Sequence, residues 1–141
     1  MPAALRSRKN RPSVSSPAMN GLHLTADLHG CPADAPLMGD PAVLRAHCLQ
    51  AVRDTGLQAV GEIFHRFPAP GGVTGVVLLA ESHLAVHTWP ELGAVTLDVY
   101  VCNLHDDNRA RAQGLLAALE TAFGAQRAER HRLERGAVGA A

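Results

Sequence analysis

Residues 94–102, AVTLDVYVC, alternate apolar and polar side chains with hardly a break. Successive side chains of a strand point to opposite faces, so Val95, Leu97, Val99 and Val101 share one face and Thr96, Asp98, Tyr100 and Cys102 the other. Such a strand belongs to a sheet with its core on one side only. Leu22, Leu24, Ala26 and Leu28, interleaved with His23, Thr25 and Asp27, repeat the pattern until Gly30 and Pro32 stop it. Residues 57–67, 73–80 and 84–89 supply three more apolar or β-branched runs. PAPGG at 68–72 and PELG at 90–93 carry the turn chemistry that separates them.

Two helices complete the pattern. Asp40-Pro41 reads as an N-cap followed by the proline favoured at the first helical position, and Leu44, Cys48, Ala51, Val52 and Thr55 form one stripe before Gly56. Cys48 is most economically a small core residue on that stripe. Asp106 or Asp107 caps a second helix whose Ala112, Leu115, Leu116, Leu119 and Phe123 end at Gly124. Residues 126–135 read as a short edge strand or a frayed tail. The order predicts an α+β fold: a two-layer sandwich of mostly antiparallel sheet with two helices on one face, the other sheet face left for something else.

At 141 residues the chain fits one domain, expected over 19–135. Residues 1–18 hold Arg6, Arg8, Lys9 and Arg11 among Ser and Pro without periodicity, and are expected to be a disordered basic leader. Met19 is a candidate start, and residues 136–141 are expected to be a disordered tail. Thirteen basic side chains balance thirteen acidic ones, which leaves no electrostatic footprint for nucleic acid or an anionic membrane. No apolar run approaches the about 20 residues of a membrane span. Cys31, Cys48 and Cys102 are odd in number and lack C-x-x-C spacing, which points to a reducing, cytoplasmic setting.

AESHLAVHTW, residues 80–89, places Glu81, Ser82 and His83 inside an otherwise apolar strand pattern. If Trp89 pairs with Ala94 across the PELG turn, His87 lies opposite Thr96, His83 opposite Tyr100, and Cys102 comes alongside Glu81 and Ser82. One face then collects His83, His87, Trp89, Asp98, Tyr100 and Cys102. Antiparallel sheets often leave such a face to solvent, but this one has no Lys, and its chemistry equally fits a site. A metal centre using His65, His83, His87 and Cys102 matches no compact zinc spacing, so none is expected. A Cys–His nucleophilic pair is available without a clear third, orienting group.

The stretch FHRFPAPGGVTGVVLLAESHLAVHTWPELGAVTLDVYVCN, residues 64–103, resembles the prokaryotic S-adenosylmethionine decarboxylase proenzyme family. The likeness rests on a Gly-Val-Thr-Gly-Val-Val run leading into Glu-Ser-His and then His-Thr-Trp-Pro-Glu, and it extends more weakly from Gly21 to the second helix. It implies a chain that cuts itself between Glu81 and Ser82, converting Ser82 into a pyruvoyl group. His87 matches the processing base, for which an imidazole suits cytoplasmic pH. Thr74 stands where the family commonly has Ser to assist processing. Cys102 matches the general acid that reprotonates the substrate carbon. Phe67 and Trp89 match aromatics that hold adenine, and Glu91 a carboxylate that holds the ribose, although the loop from Phe67 to Thr74 is one residue longer than the common form.

Decarboxylation leaves a carbanion that no ordinary side chain stabilises, so the implied pyruvoyl group acts as electron sink through a Schiff base to the substrate, with no metal and no pyridoxal phosphate. The resemblance further implies S-adenosylmethionine as substrate, spermidine synthesis as its use, and homo-oligomers of cleaved protomers with their sheets facing. A pyruvoyl-dependent ornithine or arginine decarboxylase on the same scaffold, or a non-catalytic regulatory homologue, are the rival readings. One geometric demand follows. Ser82 and His87 are five residues apart, about 17 Å and on opposite faces if the strand is regular, so residues 81–83 are expected to fold back as a loop or bulge.

Overall fold

The computed structural model describes residues 19–138. The expected leader, and residues 139–141 of the expected tail, lie outside them. Six strands form one sheet: β1 (Met19–His29), β2 (Ala59–Arg66), β3 (Val73–Leu79), β4 (Ser82–Trp89), β5 (Ala94–Cys102) and β6 (Arg127–Val138). Their spatial order is β2-β3-β4-β5-β1-β6, and every neighbouring pair is antiparallel. Helices α1 (Pro36–Gly39), α2 (Pro41–Asp54) and α3 (Arg109–Phe123) pack on one face of it.

The alternation read in the sequence is what divides the two faces. Leu22, Leu24, Ala26 and Leu28 of β1 and Val95, Leu97, Val99 and Val101 of β5 are buried against Leu44, Cys48, Ala51 and Val52 of α2 and Leu115, Leu119 and Phe123 of α3. Burial pushes the Cys48 thiol up to about 12, as expected of a core cysteine. Asp40 caps α2 through its carboxylate, which accepts from the Ala42 and Val43 amides. Both Gly93, after the 3₁₀ turn Pro90–Leu92, and Gly124, after α3, adopt a left-handed φ of 61°.

Three expectations change. The short helix α1 was not anticipated. Asn108, not Asp106 or Asp107, occupies the N-cap of α3, while the Asp107 carboxylate accepts from the Arg109 amide just beyond it. The C-terminal segment is a twelve-residue edge strand running to Val138, past the boundary expected at 135, because its whole length pairs with β1.

Two glycines fix how tightly the sheet can close around the site. A Cβ on Gly72 would sit 2.1 Å from the Thr88 carbonyl oxygen, and one on Gly75 would sit 2.2 Å from the Phe64 ring. Thr88 is the one buried polar side chain among the described residues. Its hydroxyl donates to the Met38 carbonyl at 2.7 Å and accepts from the Val73 amide at 2.8 Å, tying α1 to β3 and β4 directly beneath His87 and Trp89.

Candidate active site

The helix-free face of the sheet carries His83, His87, Trp89, Asp98 and Tyr100, whereas Ser82 begins β4 on the side of Leu84 and Val86. The register read from the PELG turn is the observed one: Trp89 pairs with Ala94, His87 with Thr96 and His83 with Tyr100. Antiparallel pairing then sorts the candidate residues into two groups at opposite ends of β4.

At the start of β4, Ala80 and Glu81 form a two-residue turn, and Ser82 pairs with Leu79. Glu81 has φ 56°, the only positive value outside glycine among the described residues. This left-handed slot suits glycine or asparagine, so the peptide bond following Glu81 leaves a strained residue. The Ser82 hydroxyl accepts a hydrogen bond from the Cys102 amide at 3.1 Å. Cys102 is itself fixed from the far side, because its carbonyl accepts from Asn108 Nδ2 at 2.8 Å. Asn103 extends the clamp, its amide donating to the Asn20 carbonyl at 2.8 Å.

At the other end, Thr74 pairs with His87 across β3 and β4, and Thr74 Oγ1 lies 3.0 Å from His87 Nδ1. Around them Phe67, Gly72, Thr88, Trp89 and Glu91 line a cleft of about 300 Å³. His87 and Trp89 rings lie 5.9 Å apart, and Trp89 is part exposed, as is Phe67. A larger cleft of about 620 Å³ adjoins it at Gly71 and Glu91, with Asp34, Asp40 and Arg66 on its walls. That one has no aromatic wall, so the smaller cleft is the better seat for a flat heterocycle.

The structure therefore brings Ser82, Glu81 and Cys102 together, and separately Thr74, His87, Phe67, Trp89 and Glu91. It does not join the groups. The expected fold-back at 81–83 is absent: Leu79 and Leu84 stay on the core side and keep β4 regular to its first residue. Ser82 and His87 are thus about 17 Å apart along one strand with side chains on opposite faces.

Between the two groups lies a third, which the sequence reading missed in part. His23 Nε2 contacts Asp98 Oδ1, and His83 Nε2 lies 3.5 Å from the same oxygen. His23 belongs to β1, and nothing in its own strand pattern tells which strand it will neighbour. These three side chains could enclose a cation. Against that, Arg135 Nη1 is 3.3 Å from His23 Nδ1. A guanidinium only donates, so Nδ1 accepts and Nε2 carries the proton aimed at Asp98, which leaves no lone pair there for a metal. His65, considered with the cysteine and histidines as a ligand, instead packs edge-on against Phe67 at 4.8 Å.

The chain is similar to known proteins over most of its length. The family model described as S-adenosylmethionine decarboxylase matches residues 22–136. S-adenosylmethionine decarboxylase proenzyme of Caldanaerobacter subterraneus subsp. tengcongensis is 41% identical over 60% of this chain, the match spanning 66% of that protein. The proenzyme of Acidithiobacillus ferrooxidans is 36% identical over 84% of each chain. The crystal structure of the adenosylmethionine decarboxylase from Aquifex aeolicus superposes with a TM-score of 0.76 at 35% identity, covering 86% of this chain and 94% of that one. From β1 to the end of the sheet, the chain belongs to the S-adenosylmethionine decarboxylase family.

Proposed function

We propose that the chain is a self-processing, pyruvoyl-dependent S-adenosylmethionine decarboxylase, cut between Glu81 and Ser82, whose product serves spermidine synthesis. The observation that carries this reading is the setting of Ser82: it follows the strained Glu81 at a hairpin tip, with its Oγ held 3.1 Å from the Cys102 amide. The Ser82 hydroxyl attacks the Glu81 carbonyl carbon; the C–N bond breaks as the ester forms, and the proton passes to the freed amine. Loss of the Ser82 Cα proton then expels the Glu81 carboxylate. The unsaturated residue left behind tautomerises, takes up water and releases ammonia, which leaves the downstream chain with a pyruvoyl end.

His87 is the base for the Cα proton, and Thr74 orients its ring through the 3.0 Å contact. Within one protomer His87 cannot reach Ser82. A second copy laid face to face about a two-fold axis running across the strands places the His87 end of one sheet over the Ser82 end of the other. Exposed Ile63 (71%), Leu78 (52%) and Leu133 (57%) on the helix-free face support that pairing. The site is then composite: Phe67, Trp89 and Glu91 of one protomer hold adenine and ribose, and Ser82 and Cys102 of the other meet the amino acid end.

A pyruvoyl group at position 82 supplies the electron sink for the charge left when carbon dioxide departs. Cys102 delivers the proton to the substrate carbon from the clamp that already touches Ser82. The aromatic cleft favours the adenosyl substrate over ornithine or arginine, and the intact Glu81-Ser82 pair, His87 and Cys102 favour an active enzyme over a regulatory homologue. Three free cysteines fit a cytoplasmic setting, and among the described residues no helix is long and apolar enough to cross a membrane.

Denaturing mass spectrometry of the purified protein tests the reading. The expected result is a break before residue 82 with no free amine on the downstream fragment, together with carbon dioxide released from carboxyl-labelled S-adenosylmethionine. A single uncut 14.9 kDa chain would refute it.

A further inference from the structure

The Arg135–His23–Asp98–His83 row has no part in the chemistry above, yet it crosses four strands and ends on the residue that follows Ser82. Arg135 stands on the edge strand β6, 3.3 Å from His23 Nδ1 and 5.3 Å above the Tyr100 ring. His23, on β1, meets Asp98 on β5, whose Oδ1 is 3.5 Å from His83 Nε2 on β4. The His83 and His23 rings flank Tyr100 at 5.7 and 5.9 Å. Asp98 is 37% exposed and stands outside the apolar core, so the row is a poor source of global stability.

We infer that Asp98 is a positioning residue that holds the new chain end in register after cleavage. The inference rests on the reading that the chain is cut before Ser82. Until the cut, the Ala80–Glu81 turn holds residue 82 covalently. Afterwards residue 82 is a terminus beside the open end of a hairpin, and termini fray unless tied down. The conformational freedom it regains is of the same order as the worth of one ladder hydrogen bond, so main-chain pairing alone does not decide its place. Asp98 anchors the adjacent His83, while His23, itself held by Arg135, meets the carboxylate from the opposite side. Misplacing a reacting carbon by an ångström costs up to about a hundredfold in rate, which is the scale on which such a tether acts.

The test compares Asp98→Asn with the parent protein, and each of these with its cleavage-blocked Ser82→Ala counterpart. Asp98→Asn should still be cut to completion, keep its unfolding midpoint within about 2 °C and its KM within about twofold, and lose at least about tenfold in kcat. Amide hydrogen exchange at His83 and Leu84 should quicken about tenfold in cleaved Asp98→Asn and stay unchanged in the Ser82→Ala background. Asp98→Glu should restore at least part of kcat. If Asp98→Asn does not fold, Arg135→Gln at the exposed edge carries the test, with exchange about threefold faster after cleavage only. An unchanged kcat in fully cleaved Asp98→Asn overturns the inference. So does exchange that quickens equally in the uncut background, or a stoichiometric metal whose chelation reproduces the kcat loss. A parent protein that is never cut instead overturns the reading beneath it.

Discussion

Thr74 Oγ1 and His87 Nδ1 face each other at 3.0 Å across the β3–β4 ladder, at the end of the hairpin remote from Ser82. The proposed base and its orienting hydroxyl thus stand at one end of a strand and the proposed scissile bond at the other. If the chain is cut before Ser82 as proposed, that separation would make self-processing a property of two chains.

Co-expression of Ser82→Ala with His87→Ala tests this directly. Each variant alone should remain uncut, or be cut at least about a hundredfold more slowly. In the mixture the His87→Ala chain should be cleaved by the His87 of its Ser82→Ala partner, read as one cut and one uncut mass. Failure of both chains to be cut in the mixture would place the base elsewhere.

Cys102→Ala separates processing from turnover. The hydrogen bond to Ser82 comes from the Cys102 main-chain amide, not the thiol, so cleavage should proceed. Turnover should fall about a hundredfold or more for want of the proton donor. The measurements are the cleaved fraction and the rate of carbon dioxide release.

Trp89→Ala and Phe67→Ala should raise KM for S-adenosylmethionine about fivefold each, the value of about 1 kcal/mol for one aromatic contact. Glu91→Gln should raise KM as well while leaving cleavage intact. Equal KM values for variant and parent would detach these side chains from the substrate.

Glu81→Gly relieves a left-handed residue whose strain is worth about 1–3 kcal/mol, set against up to about 1 kcal/mol for the extra freedom of glycine in the unfolded chain. In the uncleavable Ser82→Ala background the unfolding midpoint should rise by about 3–5 °C. With Ser82 present, cleavage should slow. A lowered midpoint would mean that Glu81 is not strained.

Alkaline pH should destabilise the fold through Cys48. Burial raises its thiol from 9.0 to about 12, so the folded state holds the proton more tightly than the unfolded one. The stability this gives is fully present below pH 9 and is lost as the pH rises towards 12. Denaturant titrations of the parent and Cys48→Ala should show the parent losing more stability over that window.

Much of the fold is legible in the sequence. Alternation assigned Val95 to Val101 to the core, and the PELG turn set the β4–β5 register on which the Ser82–Cys102 contact depends. The turn at Ala80–Glu81 departs from the expected fold-back, because that expectation required Ser82 and His87 of one chain to meet. His23 and Arg135 are not legible for a different reason: His23 reaches Asp98, and Arg135 reaches His23, only through the order β5-β1-β6, and long-range strand order is set by the packing of the whole domain. Asn103 and Asn108, which immobilise Cys102, read as ordinary loop residues until their partners are seen.

The two-residue turn at Ala80–Glu81 has one more consequence. Cutting a hairpin at its tip leaves β3 and β4 at the heart of the sheet, each still flanked by neighbours on both sides. The mature molecule would therefore keep its shape while ceasing to be one chain. Its unfolding would become a dissociation into two polypeptides, and its refolding a second-order reunion that slows on dilution. An enzyme made this way would be assembled once, from a precursor that folds as a single chain, and its lifetime would be set by how slowly the two pieces part.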